Sequence, residues 1–235
     1  MTPDWQLPVG VDRGLHDYLR SAEMVAAYDG MMSISPLAEY DVKFCKANFT
    51  VPGSVVDLGC GTARLAQHFS TNGFSYTGVD LSEEMLAVAR QQPGTYLQRN
   101  LVDTSPVPGA PFDYATCLFS TLGMVRGAKE RQQVLRNIHA MLRPGGLLVL
   151  HAHNRYFFEL GLRGWWNGDL TQTQAYGGAP LTLHHYSRGE LFKELRGAGF
   201  ANRVLQPVGL NGKLSWAWWW PIFRAYGYLV CASRT

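Results

Sequence analysis

The chain has 235 residues, 46% hydrophobic and 17% charged, which suits one globular domain with a sizeable core and room for insertions. Its 21 Lys and Arg are scattered and the net charge is only +3, so no basic stripe of the kind that tracks a phosphate backbone marks a nucleic-acid partner. The four cysteines, Cys45, Cys60, Cys117 and Cys231, form no CxxC pair and read as reduced, buried thiols of an intracellular protein, with neither a disulfide frame nor a metal site implied.

The N-terminal "MTPDWQLPVG" carries no basic-then-apolar export pattern. Apolar positions recur at helical spacing over 11–29 and 35–49, separated by "GMMSISP". Residues 1–50 are therefore expected to form a helical N-terminal segment, and residues 51–235 the main domain. A βα alternation starts at residue 54. "SVVDLG" reads as a strand and "ARLAQHFSTNG" as a helix closed by Asn-Gly. "FSYTGVD" (74–80) is the next strand, and 82–94 a helix with Ser82 as N-cap and acids in its first turn. Strands follow at 95–100 and 112–120, then an amphipathic helix over 129–146 with Leu135, Ile138 and Leu142 on one face. The nearly all-apolar "LLVLHAH" (147–153) suits the middle of a parallel sheet. A helix over 187–200 and two strands near 202–208 and 226–232 complete the pattern. Strands alternating with helices predict a doubly wound α/β sheet covered on both faces.

Two segments, 154–186 and 209–225, interrupt the alternation as insertions and hold six of the seven tryptophans. Their rings read either as an aromatic acceptor pocket or as packing against the body or in a homodimer contact. The run "WAWWWPIF" (216–223) is too short to span a bilayer, and the expected location is the cytoplasm.

The turn after the first strand, "VVDLGCGTARLA", narrows the ligand. Backbone N–H groups at a glycine turn can receive an anion. A dinucleotide fingerprint would need glycines at 59, 61 and 64, but position 64 is Arg. An acid, Asp57, ends the strand; it is misplaced opposite a pyrophosphate and well placed for an ammonium, with helix capping as the bland alternative. Asp80 ends the next strand, 19 residues beyond Gly61, which suits a ribose diol.

Together these segments resemble the class I S-adenosylmethionine-dependent methyltransferases. "VVDLGCGTA" is similar to their first motif, with Asp57, Gly59 and Gly61 in register and Ala63 at the third glycine. "YTGVDLSEEMLAVAR" resembles the second motif, "YLQRNLVD" the loop whose acid meets the adenine amine, and "FDYATCLFSTLGMV" the fourth-strand motif. The helix–Arg-Pro-Gly-Gly–strand "LRNIHAMLRPGGLLVLHAHN" and the helix "SRGELFKELRGAGF" follow in order, so the resemblance covers about residues 40–208 and the last strand.

The resemblance implies a seven-stranded sheet with its last strand antiparallel, S-adenosyl-L-methionine as methyl donor and S-adenosyl-L-homocysteine as product. It also implies a lid over the acceptor, formed by the N-terminal helices and the insertion after the fifth strand. Residues expected to bind the donor are Tyr28, Asp57, Gly59, Cys60, Gly61, Thr62, Asp80, Leu81, Met85, Asn100, Leu101 and Leu118. Asn100 stands where Asp is usual and Asp103 is its fallback; Arg64 reads as a solvated helix residue. A hydroxyl acceptor needs a general base. His153, two residues after His151 and nearer the open end of the strand, is the first candidate, and His184, before the last major helix, the second. The HxH and HH pairs lack a suitably placed carboxylate for a metal site. The expected reaction is methyl transfer to an O or N nucleophile of a small molecule; RNA methylation and non-catalytic binding of S-adenosylmethionine are the competing readings.

Overall fold

The computed structural model describes residues 3–172, 180–210, 212–214 and 221–235. In chain order the elements are α1 (Arg13–Leu19), α2 (Ala22–Ser33), α3 (Pro36–Asn48), β1 (Ser54–Leu58), α4 (Ala66–Thr71), β2 (Ser75–Asp80), α5 (Glu83–Ala89), β3 (Thr95–Gln98), β4 (Phe112–Cys117), α6 (Thr121–Met124) and α7 (Ala128–Met141). There follow β5 (Leu142–His153), α8 (Arg163–Trp166), β6 (Asp169–Gln172), β7 (Leu181–His184), α9 (Arg188–Gly197), β8 (Phe200–Gly209), β9 (Gly212–Lys213), α10 (Pro221–Arg224) and β10 (Gly227–Arg234).

The main sheet runs β3-β2-β1-β4-β5-β10-β8-β9. Pairings among β1 to β5 are parallel, and β10 is antiparallel to both β5 and β8. The doubly wound sheet with an antiparallel last strand is therefore present, with the two-residue β9 added at its edge. β5 begins at Leu142, just before the Arg-Pro-Gly-Gly turn, and its register against β4 shifts between Phe112 and Tyr114 to absorb that turn. Val55, Val56, Val149 and Leu150 are fully buried, because helices cover both faces of these central strands.

Several boundaries differ from the sequence pattern for local reasons. The helix expected over 11–29 is two helices, since Ser21 accepts from the Met24 N–H and starts α2 afresh. α2 then runs through "GMM" to Ser33. The helix expected from residue 63 starts at Ala66, because Gly61 (φ 55°) and Ala63 (φ 63°) both take the left-handed conformation. Ala63 thus occupies the backbone state that a glycine adopts at no cost, the physical meaning of the missing third glycine.

Within the insertion over 154–186, β6 and β7 pair as an antiparallel hairpin. Leu181 and Leu183 of β7 pack with Leu15 of α1 and Met124 of α6. Arg126 pairs with Asp12 at 3.3 Å and Asp169 at 3.4 Å, linking the start of α1 to β6. The hairpin therefore braces the N-terminal helices from outside. Trp216, Trp218, Trp219 and Trp220 lie outside the described residues. Trp165 and Trp166 are exposed, and Trp165 stacks on Phe223.

Candidate functional site

A cleft opens at the carboxyl ends of β1, β2 and β4, the crevice where open α/β sheets receive ligands. β1 brings Asp57, the following turn Gly59, Cys60, Gly61 and Arg64, and β2 Asp80. The loop after β4 adds Leu118, Phe119 and Thr121. Gly10, Leu15, Tyr18 and Tyr28 close it from the N-terminal side, and Leu81, Met85, Asn100 and Leu101 form its far wall.

The glycine turn is sewn to β2. Gly59 and Cys60 donate to the Val79 carbonyl at 2.7 and 3.1 Å, and Gly61 donates to Asp80 Oδ2 at 2.8 Å. These three donors are therefore engaged and not free for an anion, which corrects the expectation from the turn's sequence. Gly59 has φ 74°, and a Cβ on it would collide with Thr121. The turn and the loop after β4 could not approach so closely with any other residue.

Both acids are buried. Asp57 accepts from Tyr76 Oη and Thr116 Oγ1, each at 2.7 Å. It touches no helix N–H, so it does not act as a helix cap. Asp80 Oδ1 accepts from the Ser82 N–H at 2.9 Å while Ser82 itself caps α5. Burial raises the carboxyl pKa of both acids, against the hydrogen bonds they accept. Burial likewise raises the Tyr18 hydroxyl to about 12, with Asp80 adding to it, and holds Tyr28 well above its ordinary value.

Two of the expected donor-binding residues do something else. Thr62 does not line the cleft; its hydroxyl donates to Asp29 at 2.5 Å and ties the turn to α2. Asn100 lines the cleft, yet its Nδ2 donates to the Val9 carbonyl at 2.8 Å while its Oδ1 accepts from Val102 N–H at 3.1 Å. An aspartate there could not donate to Val9, so the amide is what pins the N-terminal segment over this wall. Asp103 is exposed and outside the cleft.

The solvated reading of Arg64 is overturned. Its Nη2 pairs with Asp41 Oδ2 at 2.6 Å and its Nη1 donates to the Ala38 carbonyl, with its side chain only 16% exposed. Asp41, fully buried, also meets His151 Nδ1 at 2.9 Å. Asp41 was missed by motif reasoning, although an acid between Leu37 and Cys45 in the apolar stripe of α3 was a readable signal.

The two candidate bases separate. His184 does not line the cleft: Nδ1 is bonded to Asp169 at 2.7 Å and Nε2 to Glu190 at 2.9 Å, so neither nitrogen is available to a substrate. Its role is to join the hairpin to α9. His153 is buried behind Phe119, with ring contacts to Tyr226, His185 and His151, and neither ring nitrogen has a hydrogen-bond partner among the described residues. Burial and the two neighbouring histidines hold its pKa well below the ordinary value. Among the described residues, no group of three or more His, Cys, Asp or Glu could hold a metal ion.

A family model described as a methyltransferase domain matches residues 55–146. The putative methyltransferase YqeM of Bacillus subtilis is 29% identical over 136 residues, which are 56% of this chain and 54% of the relative. The ubiquinone biosynthesis O-methyltransferase of Coxiella burnetii is 26% identical over 163 residues, 67% of this chain and 60% of the relative. The chain thus spans about half to three fifths of the length of these curated relatives. Among solved structures, the Burkholderia thailandensis 1,6-didemethyltoxoflavin-N1-methyltransferase, with bound 1,6-didemethyltoxoflavin and S-adenosylhomocysteine, aligns with a TM-score of 0.65 at 19% identity. That alignment covers 97% of this chain and 93% of the other. Among the described residues, no helix is long and apolar enough to cross a membrane.

Proposed function

We propose that this chain, which belongs to the class I S-adenosylmethionine-dependent methyltransferases, transfers the methyl group of S-adenosylmethionine to an oxygen or nitrogen atom of a small molecule. The observation that carries this reading is the pair of buried acids, Asp57 and Asp80, ending neighbouring strands in one cleft. The only cation lining that cleft among the described residues is Arg64, already neutralised by Asp41. A ligand bringing an ammonium to Asp57 and a diol to Asp80 satisfies both acids, and a pyrophosphate satisfies neither.

In this reading Asp80 uses its remaining lone pairs for the ribose, and Leu81, Met85 and Leu101 sandwich the adenine. Asp57, Gly59, Cys60, Gly61, Tyr28 and Leu118 surround the methionine portion. Residues 1–50 form the lid and residues 51–235 the catalytic domain. When bound, the donor supplies a methyl group on a sulfonium that loses its charge in the transition state, so the chain mainly aligns the acceptor and excludes water. The brace of β6–β7 on α1 supports the second task. The curated and structural relatives above include proteins named for ubiquinone and toxoflavin chemistry, which favours a small molecule over RNA as acceptor.

Calorimetric titration tests the ligand: S-adenosylhomocysteine binds and NAD does not, whereas the reverse overturns the reading. Methyl-tritiated S-adenosylmethionine then tests the reaction, with label expected in a bacterial small-molecule extract. Label appearing only in bulk RNA would replace the acceptor class.

A further inference from the structure

Asp41 of α3 and His151 of β5 are both fully buried, and both carboxylate oxygens of Asp41 are engaged, Oδ2 with Arg64 at 2.6 Å and Oδ1 with His151 Nδ1 at 2.9 Å. A carboxylate paired with a guanidinium only accepts hydrogen bonds. The hydrogen between Asp41 and His151 therefore belongs to Nδ1, and the lone pair of the imidazole is on Nε2; this tautomer is assigned from the network. Nε2 is buried and, among the described residues, without a hydrogen-bond partner.

Gly227 of β10 lies so close to the His151 ring that a Cβ on it would stand 2.7 Å from Nε2, so only a glycine leaves that nitrogen uncrowded by a side chain. The Phe119 ring, which lines the cleft, meets the His151 ring edge-on at 6.2 Å, and His153 lies 5.9 Å away on the same strand. The titratable and charged groups around His151 are thus Asp41, Arg64 and His153, with His185 one ring further out at 5.4 Å from His153. A buried acceptor without a donor is costly, and it is kept where a donor is to arrive. His153 has no carboxylate to choose its tautomer or hold its ring.

We infer that the acceptor substrate supplies that donor, so that His151 Nε2 is the general base of the reaction and Asp41 its positioning residue. This rests on the methyltransferase reading above, and it narrows the acceptor to a molecule presenting an O–H or N–H to a neutral imidazole. As the nucleophile's lone pair bonds to the methyl carbon, the carbon–sulfur pair returns to sulfur and the acceptor proton moves to Nε2. The resulting imidazolium is stabilised by Asp41 and gives up its proton to solvent on product release. Arg64 connects this pair to the donor cleft through Asp41.

The test begins with the 15N spectrum of histidine-labelled protein saturated with S-adenosylhomocysteine, His151 being assigned by the signal lost in His151→Gln. The expected spectrum has a protonated Nδ1 and a bare Nε2, with the preference weakened in Asp41→Asn; a protonated Nε2 in the wild type overturns the inference. With tritiated donor and the small-molecule extract, His151→Gln should lose about 100-fold or more in label transfer. Asp41→Asn should lose less and Asp41→Glu should recover part, and the S-adenosylhomocysteine affinity of His151→Gln should stay within about twofold, as His151 does not line the donor cleft. Label transfer by His151→Gln at the wild-type rate overturns the inference while leaving the methyltransferase reading intact. A wild-type protein that binds the product yet labels nothing overturns that reading, and this inference with it.

Discussion

Asp80→Ala separates a ligand contact from a turn brace. The carboxylate accepts from Gly61 and Ser82 at 2.8 and 2.9 Å and is 7% exposed. Each backbone donor stripped of its acceptor costs about 1–3 kcal/mol, and relief of the buried carboxylate's own desolvation offsets part of that. The expected net loss is about 2–3 kcal/mol, or roughly 4–12 °C in Tm for a chain of this size. Loss of the charged acceptor for a ribose diol adds about 2–3 kcal/mol to the binding free energy, roughly a 30- to 150-fold increase in the Kd for S-adenosylhomocysteine. Thermal unfolding without ligand reads the first quantity, and calorimetry well below the lowered Tm reads the second. A protein that loses several degrees in Tm and binds with unchanged Kd would show that Asp80 only braces the glycine turn, and the assignment of the cleft would fail at its ribose end.

Other perturbations follow from the same geometry. Ala63→Gly should raise stability by about 0.5–1 kcal/mol in denaturant unfolding, because relief of the left-handed backbone exceeds the entropy cost of glycine; a loss of stability would mean that the methyl group packs usefully. Arg64→Ala strands the fully buried Asp41 carboxylate and should cost about 3–5 kcal/mol, against less than about 0.5 kcal/mol for a solvated arginine. Burial holds the Asp57 carboxyl above its ordinary range, and an ammonium ligand needs it ionised, so binding lowers that pKa and releases a proton. Affinity for S-adenosylhomocysteine should therefore rise with pH from the ordinary carboxylate range to the raised value and level off above it; calorimetry in buffers of different ionisation enthalpy would detect the proton, and pH-independent affinity would place the ammonium elsewhere. In the ligand-free protein the sign is opposite. With folded-state pKa values raised, Asp57 and Asp80 contribute stability that is present at low pH and lost as pH rises through the same window.

Short-range regularities in the chain were sufficient for the α/β alternation, the glycine turn, the Ser82 cap and the two acids that end β1 and β2. Strand period, turn chemistry and capping act over a few residues, so composition and spacing carry them directly. What depended on the tertiary structure is pairing between distant segments. Asp41 meets Arg64 across 23 positions and His151 across 110, and these contacts make Arg64 half of a buried ion pair and give His151, not His153, a carboxylate partner. Asp169 and Glu190 removed His184 from candidacy by occupying both its nitrogens. Asn100 took a structural task because the Val9 carbonyl lies opposite it, 91 residues away in sequence. A residue's type limits which bonds it can make, and only the folded chain settles which partners are near enough to make them.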